Sequence, residues 1–448
     1  MNKNIDRREF LRSTAAIGAG LYVSGQAAGQ GTAGKSDDIN VALLGVGEQG
    51  KTLMDAILKI GDPSIRFKAV CDIWPYNRNW VSKRLKAYKH PNNAYKDYQE
   101  MLDKEKDLDA VIIATPDFWH SKHTVACLEK GLNVYCEKEM SNTLEGAKKM
   151  VEAAKKTGKV LQIGHQRRSN PRYIFCYDKL IKEANLLNRI TTVNGQWNRA
   201  VESEEAHAVP KGAEMDQATL EDYGFKSMHQ FRNWRWYKGL GGGPIVDLGS
   251  HQIDIYNWFL EASPKAVIAS GGTDYYDKET HQWYDTVMAV YEYQTDKGTV
   301  RAFYQTITTN SSQGYFEQFM GDEGTLVISE TAGRGAIYRE RWVPETKWAP
   351  WVNKGYLKQA AGMKQPEKPA VVGDVRETPT PPKYDLPITM DKAYHQPHLE
   401  NFFNAVRGKE EPNCPAEIGY ETAVTVLKVN EAVEAGRRLE FKPEEFKV

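Results

Sequence analysis

Asp247 and His251 lie four residues apart, so on a helix their side chains share one face. Those residue types at that spacing suit the oxidation of an alcohol. An imidazole that titrates near neutral pH can take the hydroxyl proton while the C–H hydrogen leaves as hydride, and a carboxylate can fix the imidazole tautomer. Lys138, once partly desolvated, can stabilise the developing alkoxide or act as the base itself. Each residue also has a plainer role open to it. Asp247 can cap a helix after Gly242-Gly243-Pro244, His251 can be a capping or core histidine, and Lys138 a solvated loop lysine.

Aromatic residues gather nearby in the sequence. Trp234, Trp236 and Tyr237 precede a glycine run, and Trp197 lies upstream. Aromatic faces stack on the apolar C–H faces of sugar rings, although core and interface packing is the alternative for each of these residues. Arg167 and Arg168 could reach a substrate or an acidic neighbour.

These groups need a scaffold, and the first third of the chain describes one. A short apolar run at 40–44 ends in Gly45-Val46-Gly47-Glu48-Gln49-Gly50, and a helical pattern follows with Leu53, Ala56, Ile57 and Ile60 on one face. This is the GxGxxG dinucleotide fingerprint in its required context, after a strand and opening a helix. Gly45 permits the tight turn, Gly47 lets the backbone approach a pyrophosphate, and Gly50 allows close helix–strand packing. The N–H groups at the helix start then hold the phosphates. A second strand at 66–72 ends in Asp72, 27 positions after Gly45, where a carboxylate can accept both ribose hydroxyls. It would repel a 2′-phosphate, and the next basic residue is Arg78, so NAD is favoured over NADP.

Residues 109–115, 133–137 and 160–164 read as further buried strands, with helical stretches around 119–130 and 143–157 between them. Such alternation means a doubly wound sheet. Its ligand belongs at the carboxyl ends of the strands, where Gly45, Asp72, Thr115-Pro116, Glu137-Lys138 and His165-Gln166 stand. That placement singles out Lys138.

The sequence Thr115-Pro116-Asp117-Phe118-Trp119-His120, the run ending in Cys136-Glu137-Lys138, and Gly242-Gly243-Pro244 through Asp247 and His251 to Asp254 together resemble the Gfo/Idh/MocA oxidoreductases. The resemblance runs from about residue 39 to the end. It implies a Rossmann domain followed by an α/β domain built on a large, mostly antiparallel open sheet that often mediates oligomers. It also implies hydride transfer between nicotinamide and a sugar, a polyol or a related ring hydroxyl. Thr115, Pro116, His120, Glu137, Lys138 and Gln166 would face the cofactor beside the glycine loop and Asp72. Lys138 matches the lysine of the family's Glu-Lys-Pro motif, with Glu139 in place of the proline. Asp247 and His251 match the pair that meets the substrate, and Arg168, Trp234, Trp236 and Tyr237 join it as substrate candidates. The related redox-neutral, NAD-using glycosidases typically lack the lysine, so its retention favours oxidoreductase chemistry.

Composition sets the outer limits. The chain has 448 residues, 41% hydrophobic and 26% charged, which suits more than one domain and excludes collagen-like and disordered classes. Lys+Arg and Asp+Glu both count 59, so there is no basic excess of the kind a nucleic-acid binder shows. Five scattered cysteines without metal-ligand spacing argue against a disulfide framework, and no metal site is expected. Asp6-Arg7-Arg8-Glu9-Phe10-Leu11 followed by a mild Ala/Gly/Leu stretch resembles a twin-arginine export signal, with cleavage among small residues between about 24 and 34.

The expected organisation is a signal segment at 1–34, a Rossmann domain at 35–165 and a substrate-binding and oligomerisation domain at 166–448. Residues 331–393, with eight of the twenty prolines, read as an extended insertion or arm. The expected function is that of a periplasmic dehydrogenase with tightly held NAD, acting on a ring hydroxyl of a sugar or glycoside, C3 by family habit. A homo-oligomer without nucleic-acid partner or membrane insertion after signal removal is expected, with a cytoplasmic location as the alternative. A redox-neutral NAD-dependent glycoside hydrolase is the second reading, and a non-catalytic sugar or dinucleotide sensor a third.

Overall fold

Val41, Ala42, Leu43 and Leu44 are all buried, as a strand covered on both faces requires. In the computed structural model, which describes residues 37–201, 208–331, 333–360 and 380–448, they belong to β1 (Ile39–Leu44). The twin-arginine segment lies outside the described residues. Around β1 stand β2 (Ile65–Cys71), β3 (Asn93–Tyr95), β4 (Ala110–Ile113), β5 (Asn133–Cys136) and β6 (Leu161–Ile163). All pair in parallel, in the order β3-β2-β1-β4-β5-β6. The order reverses between β1 and β4, and that switch point opens the ligand crevice of doubly wound sheets.

Alternate residues of β1 serve two cores. Ile39, Val41 and Leu43 pack with Leu53, Met54 and Ile57 of the helix Glu48–Ile60. Ala42 and Leu44 join the opposite cluster, with Leu128 and Val151. Two helices from the far end of the chain complete these layers. Leu399, Phe402 and Phe403 of Gln396–Val406 sit in the first cluster, and Ala423 and Val426 of Ala416–Ala435 in the second.

The second sheet has ten strands: β7 (Ile190–Asn198), β8 (Pro264–Gly272), β9 (Thr286–Thr295), β10 (Gly298–Ile307), β11 (Tyr315–Gly321), β12 (Gly324–Ile328), β13 (Gly335–Arg339), β14 (Lys358–Gln359), β15 (Lys383–Asp385) and β16 (Leu439–Glu440). They run β14-β15-β13-β12-β11-β7-β10-β9-β8-β16, antiparallel except for the β7–β10 pair. The helix Pro244–Leu260 lies against one face, where Tyr256 Oη donates to the Phe303 carbonyl at 2.9 Å. On the other face Ile268 and Met288 are exposed.

The reading of 331–393 as an extended arm needs correction. Its described residues supply β13, β14 and β15 to the sheet and a helix Glu345–Asn353, whose Trp348 is buried against Tyr384. Pro381 and Pro382, just before the three-residue β15, masked that pattern. Among the described residues no helix is long and apolar enough to cross a membrane.

Candidate functional site

The loop after β1 has the shape a dinucleotide needs. Gly45 has φ +85°, and a Cβ there would stand 2.7 Å from the backbone of Ala114 and Thr115. A Cβ on Gly50 would stand 2.1 Å from the Gly45 carbonyl oxygen, so the helix Glu48–Ile60 could not seat against the loop. Gly47 by contrast opens onto free space. No side chain caps that helix start, which leaves its N–H groups to a phosphate. At the end of β2, Asp72 accepts from Val46 N at 2.7 Å and from Trp74 N at 2.8 Å. Its carboxylate is thus fixed facing the crevice, and burial raises its pKa. These residues fit a bound NAD.

The crevice is a cleft of about 1100 Å³ lined by Gly45, Gly47, Glu48, Gln49 and Asp72 on one side. Val46 and Gly50 stand behind the lining, the first holding Asp72 and the second seating the helix. Thr115, Pro116, His120, Glu137, Lys138 and Gln166 continue the wall. His120 ties two loops together, its Nε2 2.6 Å from the Thr115 carbonyl and its Nδ1 2.7 Å from that of Glu139. Burial lowers its pKa to about 4.

Lys138, at the end of β5, meets Asp247 in the first turn of Pro244–Leu260. Its Nζ stands 3.1 Å from Asp247 Oδ1 and also donates to the Asp247 carbonyl. Arg235 Nε approaches the same Oδ1 at 3.2 Å while its guanidinium stacks 4.3 Å over Trp234. The two cations hold the Asp247 carboxyl well below the usual carboxylate range against the opposing effect of burial. Asp117 is buried alongside and accepts from Gly242 N; burial and then the Asp247 charge push it up to about 7. Glu139 is buried too, its Oε1 accepting from Met140 N at 2.8 Å, and burial pushes it up to about 8. The Lys138–Glu139 peptide is cis.

His251 lines the cleft one turn beyond Asp247, but the expected Asp247–His251 hydrogen bond is not made. Asp247 is turned to the two cations, and the buried His251 Nδ1 has no hydrogen-bond partner among the described residues. The His251 ring instead stands 5.4 Å from Trp197, which stacks on Tyr315 at 4.5 Å across the β7–β11 pair. Burial, with Lys138 and Arg167 adding to it, holds His251 well below its ordinary value, so the ring is neutral.

Trp234 and Trp236 line the cleft as well. Arg168 and Tyr237 do not, and both expectations are corrected. Arg168 Nη2 is 2.8 Å from Asp254 Oδ1 in a buried pair, and Tyr237 Oη meets His229 Nδ1 at 2.8 Å within a satellite core. A buried arginine requires a carboxylate partner, and Asp254, on the helix that carries His251, supplies it. Arg167 is likewise committed, to Glu317 and Glu330. Sequence reasoning missed Asp117 and Arg235. The first stood inside a quoted motif, and the second sits between two tryptophans, a pattern that favours a stacked cation.

Comparison with known proteins follows the same lines. Residues 39–165 match the model described as "Oxidoreductase family, NAD-binding Rossmann fold", and residues 222–441 its "C-terminal alpha/beta domain". A 1,5-anhydro-D-fructose reductase of Ensifer adhaerens is 25% identical over 344 residues, 77% of this chain and 83% of the relative. A glycosyl hydrolase family 109 protein of Saccharopolyspora erythraea is 29% identical over 171 residues, but that match spans only 34% of this chain and 37% of the relative. A levoglucosan dehydrogenase solved in complex with NADH shares the fold, with a TM-score of 0.67 at 16% identity over 90% of this chain and 99% of that one.

Proposed function

The chain belongs to the Gfo/Idh/MocA oxidoreductase family, and from that premise we propose that it oxidises a ring hydroxyl, C3, of a sugar or glycoside and keeps its NAD bound throughout the cycle, with the hydride returned to a second sugar or other carbonyl acceptor. The observation that carries this reading is the Lys138–Asp247 contact beside a neutral His251, in the cleft that also holds Gly47 and Asp72. When bound, the nicotinamide supplies the carbon that takes up the hydride. Asp72 accepts the ribose hydroxyls and the helix start at Glu48 receives the pyrophosphate. Lys138 places a positive charge where the alkoxide develops, and Asp247 with Arg235 fixes where that charge stands. His251, unprotonated, is free to receive the hydroxyl proton. Trp197 lines the cleft beside His251 and offers aromatic surface for the C–H faces of the ring, while Trp234 and Trp236 reach the cleft wall from their own buried cluster.

A panel of glycosides and free sugars tests the reading, with keto-sugar products read by mass spectrometry. Accumulation of a 3-keto product is expected when a carbonyl acceptor is supplied to take the hydride back, and at most one equivalent per enzyme without it. Absence of any keto product across the panel would overturn it. The similarity to a family 109 glycosyl hydrolase supports a second reading, in which oxidation, elimination, hydration and reduction release an aglycone with no net redox change. Aglycone release at constant NADH would mark that outcome. We further propose a periplasmic location, from the Arg7-Arg8 segment, and a homo-oligomer formed through the sheet face that exposes Ile268 and Met288.

A further inference from the structure

Between the end of β7 and the helix Pro244–Leu260 the chain leaves the ten-stranded sheet and crosses to the six-stranded one. Residues 209–240 of this excursion are tied to the carboxyl ends of three parallel strands in turn. After β2, Trp74 Nε1 donates to the Ala213 carbonyl at 2.6 Å. After β3, Lys96 Nζ donates to Thr219 Oγ1 at 2.9 Å. After β4, Trp119 Nε1 donates to the Tyr223 carbonyl at 3.2 Å, and Phe118 packs edge-on against Phe225 at 5.6 Å. These are the loops outside which a doubly wound sheet binds its ligand.

The excursion also has a core of its own. Met215, Leu220, Phe225, Trp234, Trp236, Tyr237 and Leu240 are buried with Trp74, in a cluster separate from the two that stabilise the sheets. Tyr223, Phe225, Phe231 and Arg232 line the same cleft as Gly45 and Asp72. Phe231 stands edge-on to Trp74 at 5.7 Å, and the Arg232 guanidinium lies 4.9 Å over the same indole. Trp74 is two residues from Asp72 and gives it a backbone hydrogen bond. The segment is therefore anchored beside the carboxylate that takes the ribose.

We propose that residues 209–240 form a strap that completes the cofactor site by closing over the adenosine half of NAD, so that the dinucleotide cannot exchange on the timescale of turnover. The inference deepens the retention stated above and rests on the NAD reading alone, not on the identity of the sugar. A crevice at strand ends is open on its adenosine side; here, release requires Trp74 and Phe231 to part and the strap's own core to lift from the β2 and β4 loops.

The test uses the holoenzyme as purified, incubated with excess isotope-labelled NAD and no sugar, with bound nucleotide followed by native mass spectrometry. Exchange in the wild type should be slow against turnover. Trp74→Phe keeps a ring in place but loses the bond to the Ala213 carbonyl, and should exchange about tenfold faster. Phe231→Ala should exchange faster still. Wild-type exchange as fast as a catalytic cycle, or an unchanged rate in a variant with native circular dichroism, would overturn the proposal. Trp74→Phe decides the matter if Phe231→Ala fails to fold. Failure of the sugar reading would show instead as missing keto products, which this assay does not measure.

Discussion

Lys138 Nζ stands 3.1 Å from Asp247 Oδ1, a contact between a strand end of one sheet and the first turn of a helix 109 residues further on. Asp247 holds the lysine against the second sheet's helix, and Arg235 closes the other side of the carboxylate. The pair is little exposed, so its charges act in a medium that screens them weakly.

Lys138→Ala should lower turnover by about 10²-fold or more while NAD stays bound, because electrostatic stabilisation of a developing alkoxide is of that size. Asp247→Asn should also lower turnover, by leaving the cation unpositioned. Steady-state rates with nucleotide content measured on the same samples check both. Wild-type turnover in Lys138→Ala would remove the site assignment.

His251→Ala should cost about 10²-fold through loss of the proton acceptor. A base must be unprotonated to act, and burial keeps His251 unprotonated well below its ordinary 6.5. His251 should therefore add no acid limb to the wild-type kcat profile between pH 6 and 8, and any limb that Asp117 gives near pH 7 should persist in His251→Ala. A limb centred near pH 6.5 that vanishes in the variant would contradict the neutral, buried His251.

Asp72→Ala should weaken NAD and relax the rejection of NADP, since the carboxylate that repels a 2′-phosphate is gone. The same change frees the N–H groups of Val46 and Trp74, so thermal stability should fall as well. Titration with both dinucleotides is the check. An unchanged preference would reduce Asp72 to a loop support.

Stability should fall as pH rises from 6.5 to about 8. Folding raises Asp117 to about 7 and Glu139 to about 8, chiefly through burial, so in this window the native state binds protons that the unfolded chain has released. Burial lowers His120 and His165 to about 4 and His123 and His398 to about 3, which makes stability rise with pH up to 6.5 and adds nothing above it. Glu139→Gln keeps the acceptor for Met140 N and should flatten part of the fall between pH 6.5 and 8. Melting curves at fixed nucleotide content measure both slopes.

Arg7→Lys with Arg8→Lys should leave folded, NAD-loaded protein in the cytoplasm. Cell fractionation reads the result: normal export of the double variant would overturn the twin-arginine reading, and a wild type that stays in the cytoplasm would return the enzyme to a cytoplasmic role.

Whatever is periodic or local in this chain was legible before any tertiary contact was known. The apolar run into Gly45-x-Gly47-x-x-Gly50 reads as a strand turning into a helix, and the structure shows why glycine stands there: Gly45 has φ +85° and Gly50 has no room for a Cβ. Asp72 follows from strand spacing, and Lys138 stands at a strand end where a parallel sheet binds its ligand. Asp247 and His251 on one helix face likewise follow from the 3.6-residue period. Which groups these side chains then meet was decided by tertiary structure. Asp247 shares a face with His251 but lies nearer the cations brought by β5 and by residues 234–236, and its charge is better compensated there than by a neutral imidazole. Arg168 turned inward because Asp254 waits there 86 residues on, a distance no local pattern spans. The strap over the cleft and the return of Gln396–Val406 to the first sheet have the same origin. Apolar faces can be read along the chain, whereas the surface each one covers is fixed only when the whole chain has packed.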